Sequence, residues 1–158
     1  MPPEAATQMQ HTEPAIRRAT GRDARLIAEF IAEHAQYERS EARPDPRQLA
    51  AALDGLPPRL QVWLAEDGGE TLGYAAVTED FSTWRAAPFL HLDCLFVRER
   101  HRNRGAGAAL FREAERHARE RGLQRLEWQT PQWNRDAIRF YERMGGLCEV
   151  KARFSLGR

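Results

Sequence analysis

The chain has 158 residues, of which 30% are charged, and its formal net charge is +1 at pH 7. This length favours one domain with a core of its own, and so small a net charge excludes a global field that would favour nucleic acid or acidic membranes. No stretch approaches the length of about 18 apolar residues that a membrane span needs. The two cysteines lack metal-like spacing and the N-terminus lacks the apolar core of a signal peptide, so we expect a cytoplasmic protein.

The first half of the chain alternates between strand and helix patterns. Residues 1–13 are predicted to be a flexible tail and residues 14–158 a single domain. A short strand over 15–20 precedes a helix that Thr20 caps and that reaches Tyr37. Asp45 is predicted to cap a second helix, and strands over 61–66 and 71–81 are joined by a hairpin turn. The apolar face predicted for the second helix comprises Leu49, Ala52, Leu53 and Leu56.

The second half is organised around a nearly continuous apolar run over Phe89–Val97, which is typical of a strand buried on both faces. A basic glycine turn at 102–107 follows and leads into a helix predicted over 108–121. A strand over 123–130, a helix over 134–144 capped by Asn134 and a closing strand over 148–156 complete the chain. The order β-α-α-β-β-β-α-β-α-β predicts an α/β (mixed α+β) fold with helices on both faces of a single twisted, mixed sheet of six to seven strands.

The glycine turn has the residues of an anion site. Helix N-terminal amides have no intrahelical partner, the macrodipole favours negative charge there, and glycine lets a ligand approach the backbone. The turn lacks the Gly-Lys-Ser/Thr of a P-loop, and Leu110 replaces the third small residue of a dinucleotide fingerprint. Arg102 and Arg104 of the turn could instead form a solvated face, but no glutamate lies between Arg100 and Arg112 to offset their charge. We therefore favour a bound ligand.

Asp93 interrupts the most apolar strand, on the face predicted to carry His91, Leu95 and Val97. A buried carboxylate costs several kcal/mol if unpaired, so Asp93 is predicted to be either salt-bridged or functional. Burial would raise its pKa, which suits a general base that handles an ammonium substrate. His91 and Asp93 could also form half of a metal site, but no third ligand has suitable spacing, so no metal is predicted.

Tyr141 lies on the last predicted helix. An aromatic residue there is more often part of the core than a catalyst. A phenol has a pKa of about 10, however, close to that of an alkyl thiolate, and is well matched to protonate a thioester leaving group.

Together these motifs resemble the GNAT family of acetyl-CoA-dependent N-acetyltransferases. The family signature Arg/Gln-x-x-Gly-x-Gly/Ala is matched by Arg102, Gly105 and Gly107, and Trp133-Asn134-x-x-Ala137-x-x-Phe140-Tyr141-x-x-x-Gly145 is similar to its second motif. Three further segments resemble the spermidine/spermine (diamine) acetyltransferase branch. These are Glu33-x-Ala35-x-Tyr37-Glu38, Leu92-Asp93-x-x-Phe96-Val97 and Trp133-Asn134.

The resemblance implies a binding site for acetyl-CoA. The main chain of β-strand residues would pair with the pantetheine arm and polarise the thioester carbonyl, turn amides would hold the pyrophosphate, and the last helix would line the cofactor's other side. The implied cofactor-binding residues are Leu95, Phe96, Val97, Arg102, Asn103, Arg104, Gly105, Ala106, Gly107, Ala108, Asn134, Arg135, Asp136 and Ala137.

It also implies the catalytic and acceptor residues. Tyr141 would protonate the departing thiolate, and Asp93, where the branch carries Glu, would bind the amine or accept its proton. The acceptor site would be bordered by Tyr37, Glu38, Asp93, Glu127, Trp128 and Gln129. Only about ten residues, Leu147 to Leu156, remain for the end of this site, fewer than in the branch, so part of it could come from a partner subunit. The family is commonly dimeric, and a homodimer is expected.

The predicted function is therefore direct transfer of acetyl from acetyl-CoA to a primary amine of a small molecule, such as a polyamine, a diamine or an amino-acid-like amine. Three alternatives stay open: a non-catalytic acyl-CoA sensor, an acetyltransferase that acts on a protein or peptide amine, and a nucleic-acid-binding module that uses the arginines of 98–125. The near-neutral charge makes the last the least favoured.

Overall fold

A computed structural model describes residues 13–157, so the predicted tail lies outside the described residues except for Glu13. The chain divides into two compact units, the first ending at Trp128 and the second beginning at Gln129. The single domain expected over 14–158 stays a prediction.

The first unit carries most of the secondary structure. Its elements are β1 (Ala15–Arg18), α1 (Ala24–Tyr37), α2 (Pro46–Asp54), β2 (Gln61–Asp67), β3 (Glu70–Ser82), β4 (Ala87–Val97), α3 (Ala106–Glu120) and β5 (Leu126–Trp128). Short 3-10 turns lie at Gly21–Asp23 and Glu99–His101. The second unit contains α4 (Arg135–Arg143). These elements confirm the predicted α/β class and the predicted order up to α4.

The five strands form one mixed sheet in the order β1-β2-β3-β4-β5. The first four are antiparallel neighbours, while β5 runs parallel to β4. The hairpin between β2 and β3 turns at Gly68 and Gly69, whose φ values are 56° and 81°. Two consecutive positive φ values are the geometry that a two-residue hairpin loop requires, which is why the Gly-Gly pair predicted this turn.

Helices cover both faces of the sheet, as predicted, and the alternation of β2 shows how. Val62 and Leu64 point to one face, where they join a buried cluster with Ile27 and Phe30 of α1. Trp63, between them, points to the other face and lies 5.2 Å from the ring of His117 on α3. Residues two apart on a strand share a face, so one strand contributes to both layers. None of the helices within residues 13–157 is long and apolar enough to cross a membrane.

Local capping explains the helix starts. The Thr20 hydroxyl accepts a hydrogen bond from the Arg22 amide at 3.4 Å and the Asp23 carboxylate accepts one from the Thr20 amide at 2.9 Å, a capping box that leads into α1. The Asp45 carboxylate accepts from the Arg47 amide at 2.8 Å, as predicted. The apolar face assigned to α2 was wrong at Leu56, which follows the helix and is 99% exposed.

The closing strand predicted over 148–156 is not formed, because no residue of 144–157 is in a strand. The predicted count of six to seven strands is therefore wrong for the described residues, in which the sheet has five. The segment does alternate apolar Val150, Phe154 and Leu156 with polar residues. Alternation describes a strand face, but a strand also needs a neighbour to satisfy its main chain, and these three side chains remain 74%, 91% and 87% exposed.

Candidate active site

The glycine turn forms an open cluster of main-chain donors. Asn103 and Gly105 both have positive φ, 61° and 84°, and α3 begins at Ala106, two residues earlier than predicted. The N–H groups of residues 103–108 donate to no acceptor within the described part of the chain; the first amide that does is that of Ala109, to the Gly105 carbonyl at 2.9 Å. Converging amides at a turn before a helix are a nest for anions.

The turn is open at Gly105, the residue in the middle of these amides. A Cβ built on Gly105 would have no heavy atom within 4 Å among the described residues other than Gly105 and its two chain neighbours, and Arg104 beside it is exposed. Glycine is therefore required here for its backbone conformation, and the opening leaves room for a ligand to approach the main chain.

Two arginines tie the end of β4 to α1. Arg98 makes a two-pronged ion pair with Glu33, with N–O distances of 2.7 and 2.8 Å. Arg102 donates from Nε to the Val97 carbonyl at 2.9 Å, and its guanidinium carbon lies 4.3 Å from the centre of the Tyr37 ring. The guanidinium group of Arg102, which was predicted to bind the ligand, thus already contacts the Val97 carbonyl and the Tyr37 ring.

β4 extends beyond its parallel neighbour. β5 pairs with it only over Leu90–Leu92, opposite Leu126–Trp128, whereas β4 continues to Val97. The predicted cofactor-binding residues Leu95, Phe96 and Val97 lie on this extension. Because the two strands do not pair along their full length, the main chain of the extension faces no β5 residue.

A β-bulge in β4 changes the position of Asp93. Ala76 of β3 is opposite Cys94 and Val77 is opposite Leu92, so Asp93 is the extra residue. Its carboxylate contacts both His91, at 3.5 Å, and the Cys94 thiol, at 3.8 Å. The expected burial was wrong, since the side chain is 59% exposed. The sequence carries no signal for the bulge, which turns Asp93 outward.

A cluster of polar side chains beside this bulge was missed by the sequence analysis. His34 Nδ1 lies 3.2 Å from the Tyr74 hydroxyl and Nε2 lies 3.3 Å from the Glu38 carboxylate. The His34 ring is stacked on Phe96 with centroids 5.1 Å apart. The signal available was the spacing of His34 four residues before Glu38, which places both side chains on one face of α1.

The remaining acceptor residues of the first unit have partners. Glu127 binds Arg85 at 2.5 Å and Arg125 at 3.0 Å, so its charge is shared with two guanidinium groups. The Trp128 ring packs edge-on against Phe111 of α3 at 5.1 Å.

The second unit carries the other predicted residues. Asn134 is buried, and its side-chain oxygen accepts from the Ala137 amide at 3.2 Å, which confirms it as the cap of α4. Arg135, Asp136 and Ala137 form the first turn, and Gln129 precedes the helix. The Tyr141 ring lies 5.2 Å from that of Phe140.

Comparison with known proteins identifies the class of this chain. The profile of the acetyltransferase (GNAT) family matches residues 25–146. The chain belongs to the GNAT family. The match covers both segments on which the resemblance was based, the β4 turn with α3 and the motif of α4, and so confirms the predicted family and its enzyme class, the acetyltransferases.

Individual GNAT relatives agree with this assignment. A thialysine N-epsilon-acetyltransferase of Caenorhabditis elegans is 35% identical over 77 residues, which are 49% of this chain and only 45% of that protein. An uncharacterized N-acetyltransferase of Bacillus subtilis, YhfO, is 30% identical over 135 residues, or 82% of this chain and 87% of that one. The name of the first supports the resemblance to the diamine branch.

A solved structure shows the same fold. The crystal structure of a probable acetyltransferase superposes with a TM-score of 0.76 and covers 91% of this chain and 97% of its own, at 21% identity.

Proposed function

We propose that this chain transfers the acetyl group of acetyl-CoA directly to a primary amine of a small molecule. The observation that carries the proposal is the set of unpaired amides at 103–108 beside the extension of β4 that lacks a β5 partner. The amides suit a diphosphate, and the free main chain of the extension suits the amide groups of a pantetheine arm.

The cofactor would supply an acetyl group activated as a thioester. In the proposal Leu95, Phe96 and Val97 orient that arm, and their amides stabilise the charge that develops on the carbonyl oxygen. The Arg102 contact to the Val97 carbonyl fixes the end of this segment. The first turn of α4, with the amides of 135–137, is proposed to line the other side of the cofactor.

Proton transfer is assigned to two side chains. Asp93, exposed and oriented by His91, is proposed to accept the ammonium proton through water, and Tyr141 to give a proton to the CoA thiolate. Because both reactants are held together, no covalent enzyme intermediate is needed.

The proposed acceptor is a diamine or an amino-acid-like amine. The support is the thialysine acetyltransferase among the relatives and the carboxylates of Asp93 and Glu38, which suit a cationic chain. Tyr37 adds an aromatic face. We assign Glu127 a weaker role, because Arg85 and Arg125 already neutralise it.

A thiol-release assay with acetyl-CoA against a panel of amines tests the proposal. We expect CoA release to require an amine and to be faster with diamines and lysine-like amino acids than with peptides. CoA binding without turnover would indicate an acyl-CoA sensor, turnover with peptides alone would indicate a protein acetyltransferase, and no CoA binding would contradict the enzyme assignment.

Replacing Asp93 tests the assigned base. Asp93→Asn is expected to lower kcat/KM for the amine about 100-fold, at the low end for a general base because water can reach the site. The Kd of CoA should not change. Asp67→Asn, in the β2–β3 hairpin, is the control. Wild-type kcat/KM in Asp93→Asn would remove Asp93 from the mechanism.

We further propose that the enzyme is a homodimer in which residues 147–156 pack against a second copy. The support is the row of exposed apolar side chains at Val150, Phe154 and Leu156, since such a row usually marks an interface. Analytical ultracentrifugation should give the dimer mass for the wild type and the monomer mass for Phe154→Glu. A monomeric wild type would contradict this proposal.

The proposed compartment is the cytoplasm. Cys94 and Cys148 are both free thiols, and Cys148 is exposed. Free exposed thiols are typical of reducing compartments.

A further inference from the structure

A chain of polar contacts connects two carboxylates of the proposed acceptor site. It begins at Glu38 on α1, passes through the two ring nitrogens of His34 and reaches the Tyr74 hydroxyl on β3. The Cys94 thiol, which lies near the Tyr74 hydroxyl, then contacts the Asp93 carboxylate at 3.8 Å. Three elements of the first unit thus contribute to one line of side chains.

The middle of this chain is buried and its ends are not. The exposed fraction of the side chain is 15% at His34, 34% at Glu38 and 59% at Asp93, and Tyr74 is fully buried. Stacking on Phe96 fixes the plane of the His34 ring. Solvent and substrate can therefore reach the two carboxylates, while the groups that connect them are held in the core.

The protonation states of the middle groups follow from this burial. Burial raises the pKa of the Tyr74 phenol and raises that of the Cys94 thiol to about 12, so both stay neutral. Burial also lowers the pKa of His34, and the positive charge of Arg102 lowers it further. The negative charges of Glu38 and Asp93 act in the opposite direction but do not outweigh burial. A neutral Tyr74 can donate its proton to Nδ1, which leaves the His34 proton on Nε2, facing Glu38.

We propose that His34 is a positioning residue for acceptor specificity. As a neutral imidazole it donates from Nε2–H to Glu38 and accepts from Tyr74 at Nδ1. The Glu38 and Asp93 carboxylates are thereby held at a fixed distance and orientation toward the amine. The proposal rests on the proposed function. His34 itself contacts neither acetyl group nor amine; it acts through Glu38.

Protonation of His34 has two consequences. Nδ1 can no longer accept from Tyr74, and a positive charge appears beside Glu38, where it competes with a cationic acceptor. The charged groups around the ring are Glu38 on its own helix, Asp93 on β4 and Arg102 after β4, while Tyr74 and Cys94 are uncharged. Because the pKa of His34 is below the ordinary histidine value of about 6.5, His34 gains its proton only below that pH. KM for the amine should therefore rise as the pH falls below about 6.5.

Two substitutions at one position separate positioning from simple packing. His34→Leu fills the same position with an apolar side chain but loses both hydrogen-bonding contacts. It should raise KM for the fastest amine of the panel about tenfold with little change in kcat, because a tenfold change corresponds to the loss of one hydrogen bond to a charged group. His34→Gln can donate to Glu38 and accept from Tyr74 but cannot titrate. It should restore KM near neutral pH and abolish the rise in KM at low pH. Gln36→Leu, an exposed position on the same helix, is the control.

Either of two kinetic results would overturn the proposal: a wild-type KM in His34→Leu, or an unchanged acid rise in His34→Gln. The ¹⁵N spectrum of the wild-type imidazole gives a readout that needs no turnover. At about pH 7.5 we expect Nε2 protonated and Nδ1 bare, and a protonated Nδ1 would overturn the proposal. If no amine were acetylated, the proposed function would fail while this tautomer could still be measured.

Discussion

Tyr141→Phe is expected to lower kcat about 100-fold or more while the Kd of CoA stays within about twofold. The substitution removes one oxygen and keeps the ring, so packing against Phe140 on α4 is preserved. A phenol with a pKa of about 10 is matched to an alkyl thiolate, and without it the thiolate must leave unprotonated or take its proton from water. Turnover by thiol release and CoA affinity by calorimetry measure the two quantities separately.

The leaving group provides the decisive control for Tyr141. When an acetyl thioester of an aromatic thiol gives its acetyl group to the amine, the C–S bond breaks and the arenethiolate leaves as a weak base that needs no acid. Tyr141→Phe should therefore lose much less activity with that donor than with acetyl-CoA. Phe140→Leu, which disturbs the ring contact but keeps the hydroxyl, should lower the rate with both donors equally. Unchanged turnover of acetyl-CoA by Tyr141→Phe would end the assignment of Tyr141 as the acid.

The features that the sequence predicted well are those decided within a few residues. The caps at Thr20, Asp45 and Asn134 each satisfy an amide two or three positions ahead, and a short polar side chain before a helical pattern is enough to indicate them. The Gly68-Gly69 hairpin and the nest at Gly105 are likewise set by residues whose φ must be positive. The glycine turn could therefore be located before any tertiary contact was known.

The features that the sequence did not predict depend on contacts between distant segments. The bulge at Asp93 is visible only in the register of β4 against β3, and the single shift turns a carboxylate that was expected to be buried toward solvent. His34 meets Tyr74 forty residues away. The alternation at 148–156 describes a strand face, but whether a strand forms depends on a neighbour that the pattern does not specify.

Gly105→Ala should raise the Kd of CoA about 100-fold, the loss of about two charge-assisted hydrogen bonds from nest amides to phosphate. Gly105 has a φ of 84°, and beyond its two chain neighbours no described residue has a heavy atom within 4 Å of the position a Cβ would take. The added methyl group therefore meets no atom beyond the adjacent residues, and we expect it to enter the space that the phosphate would occupy in front of the N–H groups. A left-handed alanine also costs about 1 kcal/mol of folding free energy, so lower stability alone would not prove a binding role.

Gly122→Ala separates these two effects. Gly122 follows the C-terminal end of α3 as Gly105 precedes its N-terminal end. It has a φ of 69°, and beyond its two chain neighbours no described residue has a heavy atom within 4 Å of a built Cβ. Both variants should lose about 1 kcal/mol in the free energy of unfolding by urea, but only Gly105→Ala should lose CoA affinity by calorimetry. Equal affinity in both variants and the wild type would mean that the amides at 103–108 do not hold the diphosphate. Because the two glycines share conformation and openness but lie at opposite ends of one helix, a difference in affinity can be assigned to the nest and not to backbone strain.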